Sequence, residues 1–161
     1  MIKFFKSLYF NQQFYIYITI VSTLFLLSFW FRILFTIAIL VSLTLGVLLL
    51  LDFFLLYRFK KGIIANRKVA DKLSNADENS IELYFKNNFP FKIHIIVIDE
   101  IPFQFQKRDF LEKSILEKEE EKTIKYNITP FTRGEYHFGD LNVYVSTPLK
   151  IIAKRFLFDN N

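Results

Sequence analysis

Two stretches without a single charge, residues 14–31 and 33–51, stand back to back with only Arg32 between them. They are 18 and 19 residues long, close to the roughly 20 apolar residues with which a helix crosses the hydrocarbon of a bilayer. One helix running through both would be about 57 Å long, nearly twice the hydrocarbon thickness, so the chain is expected to turn near residues 28–32 and return as a hairpin. The polar residues inside the runs (Thr19, Ser22, Thr23, Ser28, Thr36, Ser42, Thr44) are small and uncharged. They form no stripe wide enough to face water, which argues against a hairpin buried in a soluble bundle. A cleaved leader is disfavoured because no small-residue cleavage site follows the first run and the second begins at once.

The 161 residues carry a net charge of +5, which raises the question of a nucleic-acid partner. Up to residue 61 the cations Lys3, Lys6, Arg32, Arg58, Lys60 and Lys61 oppose Asp52 alone, whereas the remaining hundred residues balance to zero. The excess therefore belongs to the apolar third, and the basic folded surface that a nucleic acid requires is missing. The same cations orient the hairpin. Five of them flank its outer ends and only Arg32 lies at the turn, so both termini, and everything after Lys61, are expected on the cytoplasmic side of a two-helix membrane protein. Trp30 and Phe31 at the turn, and Phe53, Phe54 and Tyr57 at the other end, fall where interfacial aromatic belts are expected.

The expected organisation is an interfacial segment at 1–13, transmembrane helices at 14–31 and 33–57, and a cytoplasmic domain at 62–161. In the first segment Ile2, Phe5, Leu8 and Tyr9 recur at helical spacing, which suits a short helix on the membrane surface or a frayed coil. Asp52 is an acid within the second span, but counting from Ile33 puts it at the inner interface, where water and Arg58 would compensate its charge.

Beyond Gly62 the hydrophobic period becomes two. Ile81, Leu83 and Phe85 alternate with polar residues, as do Ile124, Tyr126 and Ile128, and Leu141, Val143 and Val145, each run reading as a half-buried strand. Residues 91–98 become apolar on both faces, as in a central strand. With 64–70 and 149–158, six to eight strands fit this part with no helical period, which predicts an antiparallel, immunoglobulin-like β-sandwich.

Chemistry is scarce in this part. There is no cysteine, so thiol catalysis and thiolate metal sites are excluded, and His94 and His137 alone make no typical zinc site. Asp99-Glu100 and the carboxylates of 117–121, interleaved with Lys118 and Lys122, read as solvated turns rather than as a tuned acid–base pair. No glycine-rich phosphate loop and no nucleophile elbow is present. The sequon Asn127-Ile128-Thr129 falls in an expected cytoplasmic strand and is discounted. No catalytic, cofactor-binding or metal residue is assigned.

The order of features nonetheless resembles a known family. Behind the two apolar runs come Leu73-Ser74-Asn75-Ala76-Asp77-Glu78-Asn79, Asn87-Asn88-Phe89-Pro90, Asp99-Glu100-Ile101-Pro102, Arg133-Gly134-Glu135-Tyr136-His137-Phe138-Gly139 and Ser146-Thr147-Pro148-Leu149. Together they resemble the amino-terminal part of the domain-of-unknown-function 58 family, bacterial membrane proteins commonly encoded beside MoxR-type AAA+ ATPases. The resemblance implies an inner-membrane location and structural roles for Leu73, Ser74, Asn75, Asp77, Glu78, Asn79, Asn87, Pro90, Asp99, Pro102, Arg133, Gly134, Tyr136, Gly139 and Pro148. Residues 75–79 would close a turn, Arg133-Gly134 would begin a hairpin strand, and Pro148 would mark a bulge or edge. Ala76 stands where the family often has glycine, an uncomfortable substitution for a left-handed turn residue. Family members continue into a von Willebrand factor A-like domain, and a chain stopping at Asn161 is expected to be a truncated or split form.

These readings converge on a non-enzymatic membrane adaptor whose sandwich meets a MoxR-type ATPase or another membrane or envelope protein. The alternatives are an extracytoplasmic envelope or carbohydrate-binding module, for which Tyr84 and Tyr144 could stack on sugars, and a fragment of a longer family member. Helix parity and the five-to-one distribution of cations oppose the extracytoplasmic placement.

Overall fold

The computed structural model describes residues 7–70, 72–105, 110–132 and 134–158. Two helices, α1 (Gln12–Leu27) and α2 (Arg32–Arg58), follow a short strand β1 (Leu8–Phe10) and precede β2 (Ile63–Lys68), β3 (Asn79–Asn87), β4 (Ile93–Asp99), β5 (Phe110–Leu116), β6 (Glu121–Ile128), β7 (Leu141–Ser146) and β8 (Ile152–Phe158). The chain divides into two compact units, Met1–Lys60 with Ser146–Lys154, and Lys61–Val145 with Arg155–Asn161.

In the first unit, helix formation follows from the unbroken leucine, isoleucine and phenylalanine content, and the ends follow from what interrupts it. The Ser28 N–H still reaches the Leu24 carbonyl, but Phe29 and Trp30 bond back to Leu26 and Leu27 as the chain tightens into a turn. α1 therefore stops at Leu27, four residues before the end of its apolar run, while α2 continues for 27 residues. The hydroxyls of Thr19, Thr23, Ser42 and Thr44 each donate to a carbonyl one turn earlier in their own helix, so these polar groups are satisfied without a polar face. Of α2 only Ala38, Asp52 and Leu56 are buried, and of α1 no residue.

The start of the chain departs from expectation. Residues 1–6, with Ile2, Phe5, Lys3 and Lys6, lie outside the described residues, but Leu8–Phe10 is a strand and not a surface helix. It pairs antiparallel with the beginning of β8, Leu8 opposite Lys154 and Phe10 opposite Ile152. Three residues gain ladder hydrogen bonds that a frayed helical turn would not supply, and tertiary pairing overrides the local period.

The second unit is built of two antiparallel sheets, one ordered β2-β3-β6 and the other running from the end of β8 through β7 and β4 to β5. β3 pairs with β2 from Ile63 opposite Asn87 to Lys68 opposite Glu82, and with β6 from Asn79 opposite Ile128 to Lys86 opposite Glu121. Period-two alternation sends Ile81, Leu83 and Phe85 of β3, Ile93, Ile95 and Val97 of β4, and Leu141, Val143 and Val145 of β7 into the interior. Each such side chain contributes about 1.5–3 kcal/mol by leaving water. Phe89 caps one end of this core. Its ring lies so close to Gly62 that a Cβ there would fall 2.2 Å from it, which fixes glycine at the entry to β2.

Candidate functional site

Two polar clusters interrupt the apolar interiors, one in each unit. In the first, Asp52 is fully buried. Its Oδ1 accepts from the Thr147 hydroxyl, and its Oδ2 accepts the backbone N–H groups of Ile151 at 3.1 Å and Ile152 at 2.9 Å. The turn that presents these donors is closed by Lys150 N–H to the Thr147 carbonyl, with Lys150 in the left-handed region (φ 53°). Asn11 adds a second tie: its Nδ2 donates to Ser146 Oγ at 2.9 Å. Lys154 sends its Nζ to the carbonyls of Leu56 and Phe59, the open end of α2, and lies over the Tyr57 ring. Burial draws the Lys154 ammonium below its ordinary range.

This corrects the reading of Asp52 as a hydrated interfacial acid. Arg58 does not compensate it; that guanidinium sits over the ring of Phe54. Pro148 belongs to the same turn, between the two residues that close it.

The second cluster lies in the two-sheet unit. Arg67 of β2 and Asp99 of β4 form a buried ion pair, Nη2 to Oδ1, at 2.6 Å. The Tyr126 hydroxyl donates to Asp99 Oδ2 at 2.6 Å, and Arg67 Nη2 also donates to the Gly139 carbonyl at 2.7 Å. The guanidinium stacks on Phe138, 5.1 Å from the ring centre, while its buried Nε makes no hydrogen bond. Burial first, and the adjoining Asp99 carboxylate second, push the Tyr126 phenol above its usual range.

Glu100, next in sequence, bonds the other way along the chain. Its carboxylate accepts from Asn142 Nδ2 at 2.8 Å and from the Asp140 N–H at 3.2 Å, and Arg155 Nε donates to Asn142 Oδ1. Gly139 is pressed against it: a Cβ there would lie 2.5 Å from Glu100 Oε2. The pair Asp99-Glu100 is therefore no solvated turn, because Asp99 is buried against Arg67 and Tyr126 while Glu100 holds Asp140 and Asn142. The acids of 117–121 do form an exposed turn, with Glu119 in the left-handed region.

Above Arg67 opens a cleft of about 780 Å³ between Val69, Ala70, Lys72 and Leu73 on one side and residues 134–138 on the other. Of the residues singled out by sequence, Leu73, Gly134 and Tyr136 line it, and Asp99 and Gly139 are joined beneath it through Arg67. Pro102 is buried and precedes a single 3-10 turn whose Phe105 packs against Tyr136, ring centres 4.6 Å apart. Residues 134–140 form no strand, contrary to the expected hairpin; the Tyr136 hydroxyl instead donates to the Thr132 carbonyl. Arg133 lies outside the described residues. Ser74, Asn75, Asp77 and Glu78 form a loop closed by Asn79, whose side chain bonds the N–H and carbonyl of Ser74 and the carbonyl of Asp77. Asn87 stands elsewhere, fully buried, holding the carbonyls of Phe91, Leu116 and Glu117, with Pro90 exposed beside it.

No protein-family model matches the chain, and no curated protein matches it. Among solved structures it is similar to a PapD-like domain of human CEP192, at 12% identity and a TM-score of 0.43, over 60% of this chain and 81% of that one. It is also similar to a part of a β-glucosidase from Listeria innocua, at 18% identity and a TM-score of 0.28, over 62% of this chain and 16% of the enzyme.

Among the described residues no group of histidines and carboxylates is placed to hold a metal ion. His94 lies in β4 and His137 is exposed, 3.9 Å from Glu135. Sequence reading missed Arg67, Tyr126, Asn142 and Arg155. For the ion pair a signal existed: Arg67 continues the inward parity of Ile63 and Ala65, and Asp99 that of Ile93, Ile95 and Val97. Two charges of opposite sign on inward positions of facing strands require each other.

Proposed function

We propose that this chain is a membrane-anchored, non-enzymatic adaptor. A two-helix transmembrane hairpin would hold an immunoglobulin-like sandwich on the cytoplasmic side of a bacterial inner membrane, with both termini cytoplasmic. The observation that carries the reading is α2: 27 residues, about 40 Å at 1.5 Å per residue, apolar and almost entirely unburied. Apolar side chains exposed along the full length of a helix are stable only where lipid or another protein replaces water. α1, with 16 residues, is shorter than the hydrocarbon thickness requires, so its span would draw on the exposed aromatic turn of Phe29, Trp30 and Phe31 at the interface. The distribution of cations supports the orientation. The motif order supports membership of the domain-of-unknown-function 58 family, and with it a MoxR-type AAA+ ATPase as partner.

Reporter fusions test the topology. Alkaline phosphatase fused at Trp30 should be active and β-galactosidase fused after Lys61 should be active; the reverse pattern after Lys61 would place the sandwich outside. Retention of the co-encoded ATPase by the detergent-solubilised chain, with and without nucleotide, tests the partner, and its absence from both pulldowns would remove that assignment.

A further inference from the structure

We propose that the open edge of β2 takes one further strand, an extended segment of a partner protein with apolar residues at every second position. In the second unit the sheet β2-β3-β6 has three strands, and the sheet facing it has four, β5, β4, β7 and the end of β8. Side chains fix which strand lies over which. Phe110 of β5 stacks on Tyr126 of β6, and Lys122 of β6 donates to Ser114 of β5, so these two edges are level. Asp99 of β4 meets Tyr126 of β6 and Arg67 of β2, the two strands that flank β3, which sets β4 over β3. Counting on, β7 lies over β2, and the end of β8 extends past it.

Burial follows that overhang. Arg155 donates to Asn142, which lies on the face of β7 opposite to the fully buried Leu141, Val143 and Val145, so Phe156 and Phe158 point to the inner side. Both are only partly buried there. β2 itself pairs with β3 alone, and among the described residues no other backbone group bonds to the backbone of residues 63–68. The ligand that matches such a row of N–H and C=O groups is another strand, and its alternate side chains would lie on Phe156 and Phe158.

The other edges of this unit differ. β5 carries Glu112 and Lys113, and β6 carries Glu121, Lys122 and Lys125, charges of the kind that guard an edge. β2 has no charge before Arg67, which is turned inward, and Lys68 at its end. A strand added to β5 or β6 would also find no facing sheet to cover it. A second copy of this chain does not fit at β2, because joining β2 to β2 would bring that copy's β7 into the layer that β8 already fills.

The proposal rests on the adaptor reading only in placing a protein partner on this domain. The probe is a fluorescein-labelled octapeptide of alternating valine and threonine, titrated against the full chain in detergent micelles, with empty micelles as the blank, and read by anisotropy. It should bind at least tenfold more tightly than a peptide of four valines followed by four threonines, and than an analogue N-methylated throughout, which cannot donate to β2. Phe158→Lys should weaken binding at least fivefold and Phe158→Thr, which a strand tolerates, at least twofold, while Leu111→Lys on β5 should leave it unchanged. A benzophenone version should cross-link within 63–68 or 155–158. Absence of binding, equal affinity for the three peptides, affinity unmoved by both Phe158 substitutions or lost on Leu111→Lys, or cross-links within β5 or β6 would overturn the proposal. If the ATPase is retained while the peptide does not bind, the strand site alone has failed; if the peptide binds without retention of the ATPase, the partner assignment has.

Discussion

Asp52 and Ile152, one hundred residues apart in sequence, meet where the carboxylate Oδ2 accepts the backbone N–H at 2.9 Å. The same oxygen takes the N–H of Ile151 and the other oxygen the hydroxyl of Thr147, so one side chain satisfies three buried donors. Asp52→Ala strands all three and should cost about 3 kcal/mol; Thr147→Val removes one donor and should cost about 1 kcal/mol. Urea denaturation of the chain in a mild detergent measures both. A cost below about 1 kcal/mol for Asp52→Ala would mean that the three bonds contribute nothing net.

The Arg67–Asp99 pair makes a different prediction, because burial makes each charge dependent on the other. Arg67→Met should destabilise by about 3–5 kcal/mol by leaving Asp99 uncompensated, whereas Arg67→Met combined with Asp99→Leu should recover a large part of the loss. A double variant as unstable as the single one would show that the pair is held for reasons other than charge balance. Gly139→Ala belongs with this site, since its Cβ would meet the Glu100 side chain at 2.5 Å, and should cost about 1–3 kcal/mol.

Tyr126 gives a pH dependence. Its folded-state phenol is held above the ordinary value of 10.0 by burial and by Asp99. From about pH 10 upward the unfolded chain loses this proton while the folded chain keeps it, so stability falls as pH rises through that window. Ultraviolet titration should show that Tyr126→Phe lacks the latest-ionising phenol, and the stability of the variant should decline less steeply above pH 10. Equal slopes for the two proteins would contradict the assignment.

Ala76 adopts a left-handed backbone (φ 64°), and its N–H donates to the Pro130 carbonyl at 2.8 Å. A Cβ in that region costs about 1–2 kcal/mol, part of which glycine returns as greater freedom of the unfolded chain. Ala76→Gly should therefore raise stability by about 0.5–1 kcal/mol, visible as a higher thermal midpoint. A lower midpoint would mean that the loop gains more from the methyl group than the strain removes.

What could be read in the sequence was local in nature. Periodicity placed Ile81, Leu83 and Phe85 of β3 and Leu141, Val143 and Val145 of β7 on buried faces, and the absence of charge marked both helices. The strain at Ala76 was suggested by the family resemblance, in which glycine often stands at that position, and the residue does take a left-handed backbone. The partners of Asp52 could not be read, because spacing along the chain says nothing about a contact 95 to 100 residues away. Leu8–Phe10 was misassigned for the same reason: its helical period is real, but β8, which decides its conformation, lies far downstream. Arg67 and Asp99 fall between these cases. Their parity was visible, and only a count of charges on inward positions would have brought them together.

The tie at Asp52 also sets an order of events. Chains grow by about 5–20 residues per second, so Asp52 emerges roughly 5–20 s before Ile151 and Ile152 can reach it. Throughout that interval α2 has its full apolar length while the carboxylate near its end still depends on water. The last bonds at the foot of the helix are made by Ile151 and Ile152, a hundred residues downstream, and any chain interrupted before residue 151 has a finished helix whose acid lacks both of these donors.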